Sequence, residues 1–163
     1  MCIFSMLGSV LFLSKLIMEF LPNIHLVGTL TVAYTVVYRT KALLPIYIFV
    51  LLTGVYGGFN LWWAPYVYIW TVLWGAVMLL PKGLGKRAAY TVLPLISCLH
   101  GLLYGTLYAP MQALLFGFSW EQTLVWIGAG LYFDIIHGVG NLVLGTLIYP
   151  IAALLKRLST VKN

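Results

Sequence analysis

Apolar residues run along this chain in long unbroken blocks, each closed by a short cluster of proline, glycine, asparagine or basic residues. The first block, residues 2–20, stops at Leu21, Pro22 and Asn23, and the second, residues 25–38, stops at Arg39, Thr40 and Lys41. The third, residues 42–56, ends on Gly57 and Gly58, a pair that favours a turn. The fourth, residues 65–80, opens on a proline suited to the first turn of a helix and ends at Pro81, Lys82 and Gly83. A fifth covers residues 88–107, before Tyr108, Ala109 and Pro110. From residue 120 to 158 the pattern is apolar for about 39 residues, roughly 58 Å of helix at about 1.5 Å per residue. That is too long for one upright span, so an interfacial piece is expected before about Gly130 and a crossing, residues 130–155, after it. No block alternates apolar and polar positions as a barrel strand does, and backbone groups in lipid must then be satisfied inside helices. A hydrocarbon core about 30 Å thick takes about 20 residues per crossing. The pattern therefore predicts an all-α integral membrane protein, one domain over residues 1–163, built as a bundle of six transmembrane helices.

Composition agrees. Of 163 residues, 63% are hydrophobic and 7% charged, with a mean hydropathy of +1.03. A soluble domain carries roughly 25% charged residues, so that class is excluded. The basic residues predict orientation. Arg39 and Lys41 lie between blocks two and three, Lys82, Lys86 and Arg87 between four and five, and Lys156, Arg157 and Lys162 after six. All fall on one side of a six-span bundle, and the positive-inside rule makes that side cytoplasmic, with both termini inside. The opposite connections, near Asn23, Asn60 and Gln112, carry no Lys or Arg. The net charge of +6 is thus an orientation signal, not a stripe that tracks nucleic-acid phosphates. A cleaved signal peptide fits poorly, because no basic segment precedes the first block and Lys15 interrupts it. Cys2 and Cys98 lie far apart in apolar runs and read as small buried hydrophobes.

A few polar residues inside apolar blocks ask for an explanation. Lys15 and Glu19 are one helical turn apart, so they form a neutralising pair or line a polar site. Asp134, His137 and Asn141 share one face of the last block, with Gly138, Gly140 and Gly145 nearby. Such a group either hydrogen-bonds helices together or contacts a ligand, and an intramembrane ionisable residue favours the second. In the fifth block His100, Tyr104 and Tyr108 repeat every four residues beside Gly101 and Gly105, a GxxxG packing face. Around the outer connection at Asn60, Phe59, Trp62, Trp63, Tyr66, Tyr68, Trp70 and Trp74 crowd together. Part of this is an interfacial aromatic belt, and part is suited to the wall of a pocket for a small, flat ligand. No H-E-x-x-H, G-x-S-x-G or phosphate-loop motif occurs, so no enzyme and no built-in ATPase is expected. His100, Asp134 and His137 could ligate a metal only if the fold gathers them.

Residues 21–26 (Leu-Pro-Asn-Ile-His-Leu), the Trp/Tyr-rich stretch 62–74, residues 100–112 and residues 133–141 (Phe-Asp-Ile-Ile-His-Gly-Val-Gly-Asn) resemble the substrate-binding S components of prokaryotic energy-coupling factor (ECF) vitamin transporters. The resemblance covers most of the chain. It implies a six-helix bundle with an outward-facing pocket, in the plasma membrane of a prokaryote, capturing a small water-soluble vitamin or precursor. It further implies docking on a transmembrane coupling subunit driven by two cytoplasmic ATPases, with no cofactor of the chain's own. Family members use small residues one turn apart on the first helix for that docking; here Ser5 and Ser9 stand at that spacing in place of the usual alanines. The expected substrate contacts are Asp134, His137, Asn141, His100, Tyr104, Trp62, Trp63, Tyr66, Lys15 and Glu19. A self-sufficient ion-coupled carrier or channel is the alternative, with Lys15, Glu19, Asp134 and the histidines as its path. The receptor reading requires Asp134 and His137 to face one recess open to the exterior.

Overall fold

The computed structural model describes residues 2–160, so Lys162 of the orientation argument lies outside the described residues. Among those residues the structure is helical throughout and contains no strand: α1 (Cys2–Ile17), α2 (Val27–Tyr38), α3 (Leu43–Gly57), α4 (Tyr66–Met78), α5 (Lys86–Leu102), α6 (Tyr104–Phe116), α7 (Trp120–Gly145) and α8 (Ile148–Thr160). Every residue of α2 from Val27 to Thr35 is buried. A helix that is covered all round belongs at the centre, and α2 touches α1, α4, α5, α7 and α8. The others ring it, α1 packing chiefly on α3 and α5 on α7.

Three helical stretches are long and apolar enough to cross a membrane: Val27–Gly57, Lys86–Phe116 and Trp120–Gly145. The first is not straight. His25 and Phe49 both pack on Trp70, with ring centroids 6.2 and 5.7 Å away, whereas a continuous helix would hold them about 36 Å apart. The chain doubles back at Arg39–Ala42, where Arg39 takes φ 52°. The side chain of Arg39 braces that turn, its Nη2 donating to the carbonyls of Met78 (2.9 Å) and Leu80 (3.4 Å) at the end of α4. Trp74 Nε1 in turn donates to the Arg39 carbonyl at 3.1 Å.

The fifth and sixth blocks differ from expectation. Helix continues past Leu107 to Phe116, with a break only at Leu103. Pro110 sits inside α6, and Gln112, expected near a connection, is a buried residue of that helix. Its end is set by Gly117, whose φ of 67° closes the last turn. The last block does not divide at Gly130. Ser119 and Gln122 form a capping box that starts α7 at Trp120, and the helix runs 26 residues to Gly145. Gly128 and Gly130 meet no neighbour that would interrupt it, and lone glycines weaken a helix without ending it. The division falls after Gly145, and α8 restarts so that Pro150 occupies its first turn, where its missing N–H costs nothing.

Close approach of α5 and α7 depends on glycine. A Cβ on Gly101 would lie 2.9 Å from Gly138 Cα, and one on Gly145 would lie 2.8 Å from Pro94 Cα. The GxxxG face is therefore a packing seam.

Two recesses mark the two ends of the bundle. One gathers the end of α1, the connection before α2, the connection before α4, and residues of α6 and α7. The other gathers the end of α2, the end of α4, the start of α5 and α8.

Candidate functional site

The recess at the α1–α2 end has a volume of about 300 Å³, at the lower end of the range for small-molecule sites. Its wall is built from two connections and four helices. Lys15 comes from the end of α1, Met18, Glu19, Asn23 and His25 from the connection that follows, and Trp62 from the aromatic connection. Tyr66, Tyr104, Tyr108 and His137 complete it from α4, α6 and α7.

The aromatic rings form a connected chain. Trp62 packs edge-on against Tyr66 with centroids 5.8 Å apart, Tyr66 against Trp70 at 5.9 Å, and Trp70 against Tyr104 at 6.1 Å. Tyr104 reaches His137 at 4.8 Å, and His137 reaches His25 at 5.0 Å. Edge-to-face contacts of this kind hold rings in fixed orientations. Tyr108 closes the cage by donating its hydroxyl to the Trp62 carbonyl, and Tyr68 donates to the Leu107 carbonyl. Both bonds fasten the aromatic connection and α4 to α6. Trp63, expected in the wall, faces the other way: its Nε1 donates to the Val50 carbonyl of α3 at 2.8 Å, and its ring packs on Phe59.

The polar groups of the last spans divide between this recess and the helix seams. His137 lines the recess, and its Nε2 is buried with no hydrogen-bond partner, as is Nδ1 of His25 beside it. Asp134 does not line it. Its carboxyl oxygens both accept from the backbone N–H of Gly105, at 2.9 and 3.1 Å. That N–H lies in the first turn of α6, just past the break at Leu103, where a helix has no partner of its own to offer. Asp134 thus caps α6 from a neighbouring helix. Asn141 is also a clamp, its Nδ2 donating to the Ser97 carbonyl of α5 at 3.0 Å. His100 Nε2 lies 3.1 Å from the Ile69 carbonyl and ties α5 to α4. Asp134, His137 and Asn141 do share a buried face of α7 as their spacing implies, but one of the three reaches the cavity.

Lys15 and Glu19 both reach the recess, though not as helical neighbours. Helix α1 ends at Ile17, and Glu19 sits in the turn beyond it, its N–H bonded to the Leu16 carbonyl. Among the described residues, no three His, Cys, Asp or Glu side chains come together as a metal would require. On α1 Ser5 is exposed and Ser9 half-buried, while Gly8 is pressed onto Ile48 of α3. Lining residues absent from the expected contact set are Met18, Leu21, Pro22, Asn23, His25 and Tyr108. A signal for two was present: His25 is the lone imidazole in the connection after block one, and Tyr108 completes the four-residue repeat of His100 and Tyr104.

The chain matches no family model, no curated protein and no solved structure.

Proposed function

We propose that this chain is the substrate-binding S component of an ECF-type importer, capturing a small water-soluble vitamin or precursor from outside the cell. In this reading the chain crosses the plasma membrane of a prokaryote six times, α5–α6 and α7–α8 each making one pass, with both termini inside. Delivery then depends on a transmembrane coupling subunit and two cytoplasmic ATPases, and Ser5 and Ser9 present the face of α1 that docks.

One observation carries the reading: an aromatic cage at one end of an apolar bundle contains two adjoining imidazoles, each with one buried nitrogen, Nδ1 of His25 and Nε2 of His137, that has no hydrogen-bond partner among the described residues. A buried polar atom left unpaired costs about 1–3 kcal/mol. A ligand that stacks on Trp62, Tyr66 and Tyr104 and hydrogen-bonds His25 and His137 recovers that energy. The wall holds one cation and one acid, Lys15 and Glu19, and so suits a polar heteroaromatic ligand of little net charge.

The test is a titration of the purified chain with thiamine, riboflavin and pyridoxine, followed by tryptophan fluorescence, together with mass spectrometry of small molecules that co-purify. One ligand is expected to saturate the site, and His25→Ala and His137→Ala each to weaken it about tenfold, the equivalent of one hydrogen bond of about 1.4 kcal/mol. Retained affinity in both variants would remove the cage from the binding site. Uptake into liposomes holding this chain alone would replace the receptor reading with the self-sufficient carrier.

A further inference from the structure

The charges of the aromatic recess and its rings come from different parts of the chain. Lys15 and Glu19 belong to the end of α1 and the connection after it, whereas Trp62, Tyr66, Tyr104 and Tyr108 belong to the aromatic connection, α4 and α6. Among the described residues that line the recess, Lys15 is the one Lys or Arg and Glu19 the one acid. In an uninterrupted helix two opposite charges four residues apart are neighbours and neutralise one another. Helix α1 stops at Ile17, and the turn beyond it, with the Glu19 N–H on the Leu16 carbonyl at 3.2 Å, takes Glu19 out of that register. Among the described residues no ion pair joins the two side chains. Lys15 is half-buried and Glu19 exposed.

A cavity with one ammonium and one carboxylate held apart on its charged side, and rings on the rest, is complementary to a ligand built the same way. We infer that the recess selects a zwitterion, an aromatic or heteroaromatic ring that carries both an anionic group and a protonated nitrogen. The anionic group meets the Lys15 ammonium, the protonated nitrogen meets the Glu19 carboxylate, and the ring lies against Trp62, Tyr66 and Tyr104. A neutral ring would cover both charges without replacing the water they lose. A ligand with one charge would compensate one side chain and leave the other covered and unpaired, the costlier arrangement. The inference narrows the receptor reading and rests on the recess being the ligand site.

The experiment uses four probes with one ring and different charge: L-tryptophan (zwitterion), tryptamine (cation), indole-3-propionate (anion) and 3-methylindole (neutral). Each is titrated calorimetrically into the purified full chain in dodecyl maltoside at neutral pH. L-tryptophan is expected to bind tightest, about tenfold over tryptamine through the half-buried Lys15 and about threefold over indole-3-propionate through the exposed Glu19. In Lys15→Gln the preference over tryptamine falls to parity while that over indole-3-propionate persists, and Glu19→Gln does the reverse. Each preference is a ratio within one preparation, so partial loss of folded protein does not alter it. Lys41→Gln, at the α2–α3 turn and outside the recess, keeps both. Tryptamine, indole-3-propionate or 3-methylindole binding as tightly as L-tryptophan, no binding of L-tryptophan, or a parallel change of both preferences in either variant would overturn the assignment. Binding of 3-methylindole, thiamine, riboflavin or pyridoxine with both preferences absent would keep the cage as the ligand site and refute the zwitterion alone. No binding in either series would refute both.

Discussion

Replacing Asp134 separates a helix clamp from a ligand contact. The side chain is buried and its two oxygens share one donor, the Gly105 N–H, at 2.9 and 3.1 Å. Asp134→Ala removes that acceptor and leaves the N–H unpaired at the start of α6. The loss is about 1.5–3 kcal/mol for a hydrogen bond to a charged or strongly polar group. Among the described residues no other acceptor is hydrogen-bonded to the Gly105 N–H, because the break at Leu103 puts it in the first turn of its helix. Asp134→Asn keeps a carbonyl oxygen of the same reach and is expected to lose less than half as much. At about 2–4 °C per kcal/mol for a chain of this size, Asp134→Ala lowers the unfolding temperature in detergent by roughly 3–12 °C. The amide is predicted to stay within a few degrees of the parent, and both variants, once folded, to keep the parent's ligand affinity. The assay is thermal unfolding of the purified variants, followed by titration of the cage ligand below the transition. Equal destabilisation by Asn and Ala would refute the capping argument, and a folded Asn variant that binds nothing would return Asp134 to the binding site.

Other substitutions probe the packing and the orientation. Gly101→Ala drives a Cβ to 2.9 Å from the Gly138 backbone and is expected to cost about 1–3 kcal/mol, read as a lower unfolding temperature. Gly75→Ala, with open space around it, is the matched control and should gain about 0.5–1 kcal/mol; a loss at Gly75 as large as at Gly101 would sink the seam argument. Ser119→Ala removes the capping box of α7 at a cost of about 1 kcal/mol, and hydrogen exchange at Gln122 and Thr123 should quicken while the middle of α7 stays protected. In a cysteine-free background, cysteines at Lys41 and Lys82 should resist an impermeant maleimide added to whole cells, and cysteines at Asn23 and Asn60 should react. Labelling of the first pair from outside would reverse the proposed topology.

Much of the architecture was legible because hydrophobic blocks and their punctuation report on local structure. The starts of α2, α3 and α4 fall within two residues of the block boundaries, since Pro22, Arg39, Gly58 and Pro65 interrupt the chain by rules that need no partner. The misread boundaries are those where tertiary contacts decide. Helix α6 carries Pro110 in its interior, and the break sits at Leu103, where no proline or glycine marks it; there the neighbouring Asp134 takes the freed N–H. The expected division at Gly130 followed from length alone, but the capping box at Ser119 and Gln122 was also present in the sequence and favours a continuous α7.

The site was legible by residue type and illegible by direction. Spacing correctly put Asp134, His137 and Asn141 on one buried face, yet a buried face of α7 meets both a neighbouring helix and the recess. What separates the two fates is whether a backbone group without a helical partner, or a free carbonyl lone pair, lies opposite. Asp134 meets the N–H of Gly105, Asn141 meets the Ser97 carbonyl, and His100 meets the Ile69 carbonyl. His137 lies between Asp134 and Asn141 on the same face, but opposite it are the rings of His25 and Tyr104, which offer π faces in place of backbone. In an apolar bundle, polar side chains that reach backbone act as clamps. Those that reach only other rings keep their bonding capacity for something from outside the chain. By that criterion the imidazoles of His25 and His137, and not the carboxyl of Asp134, give the recess its chemistry.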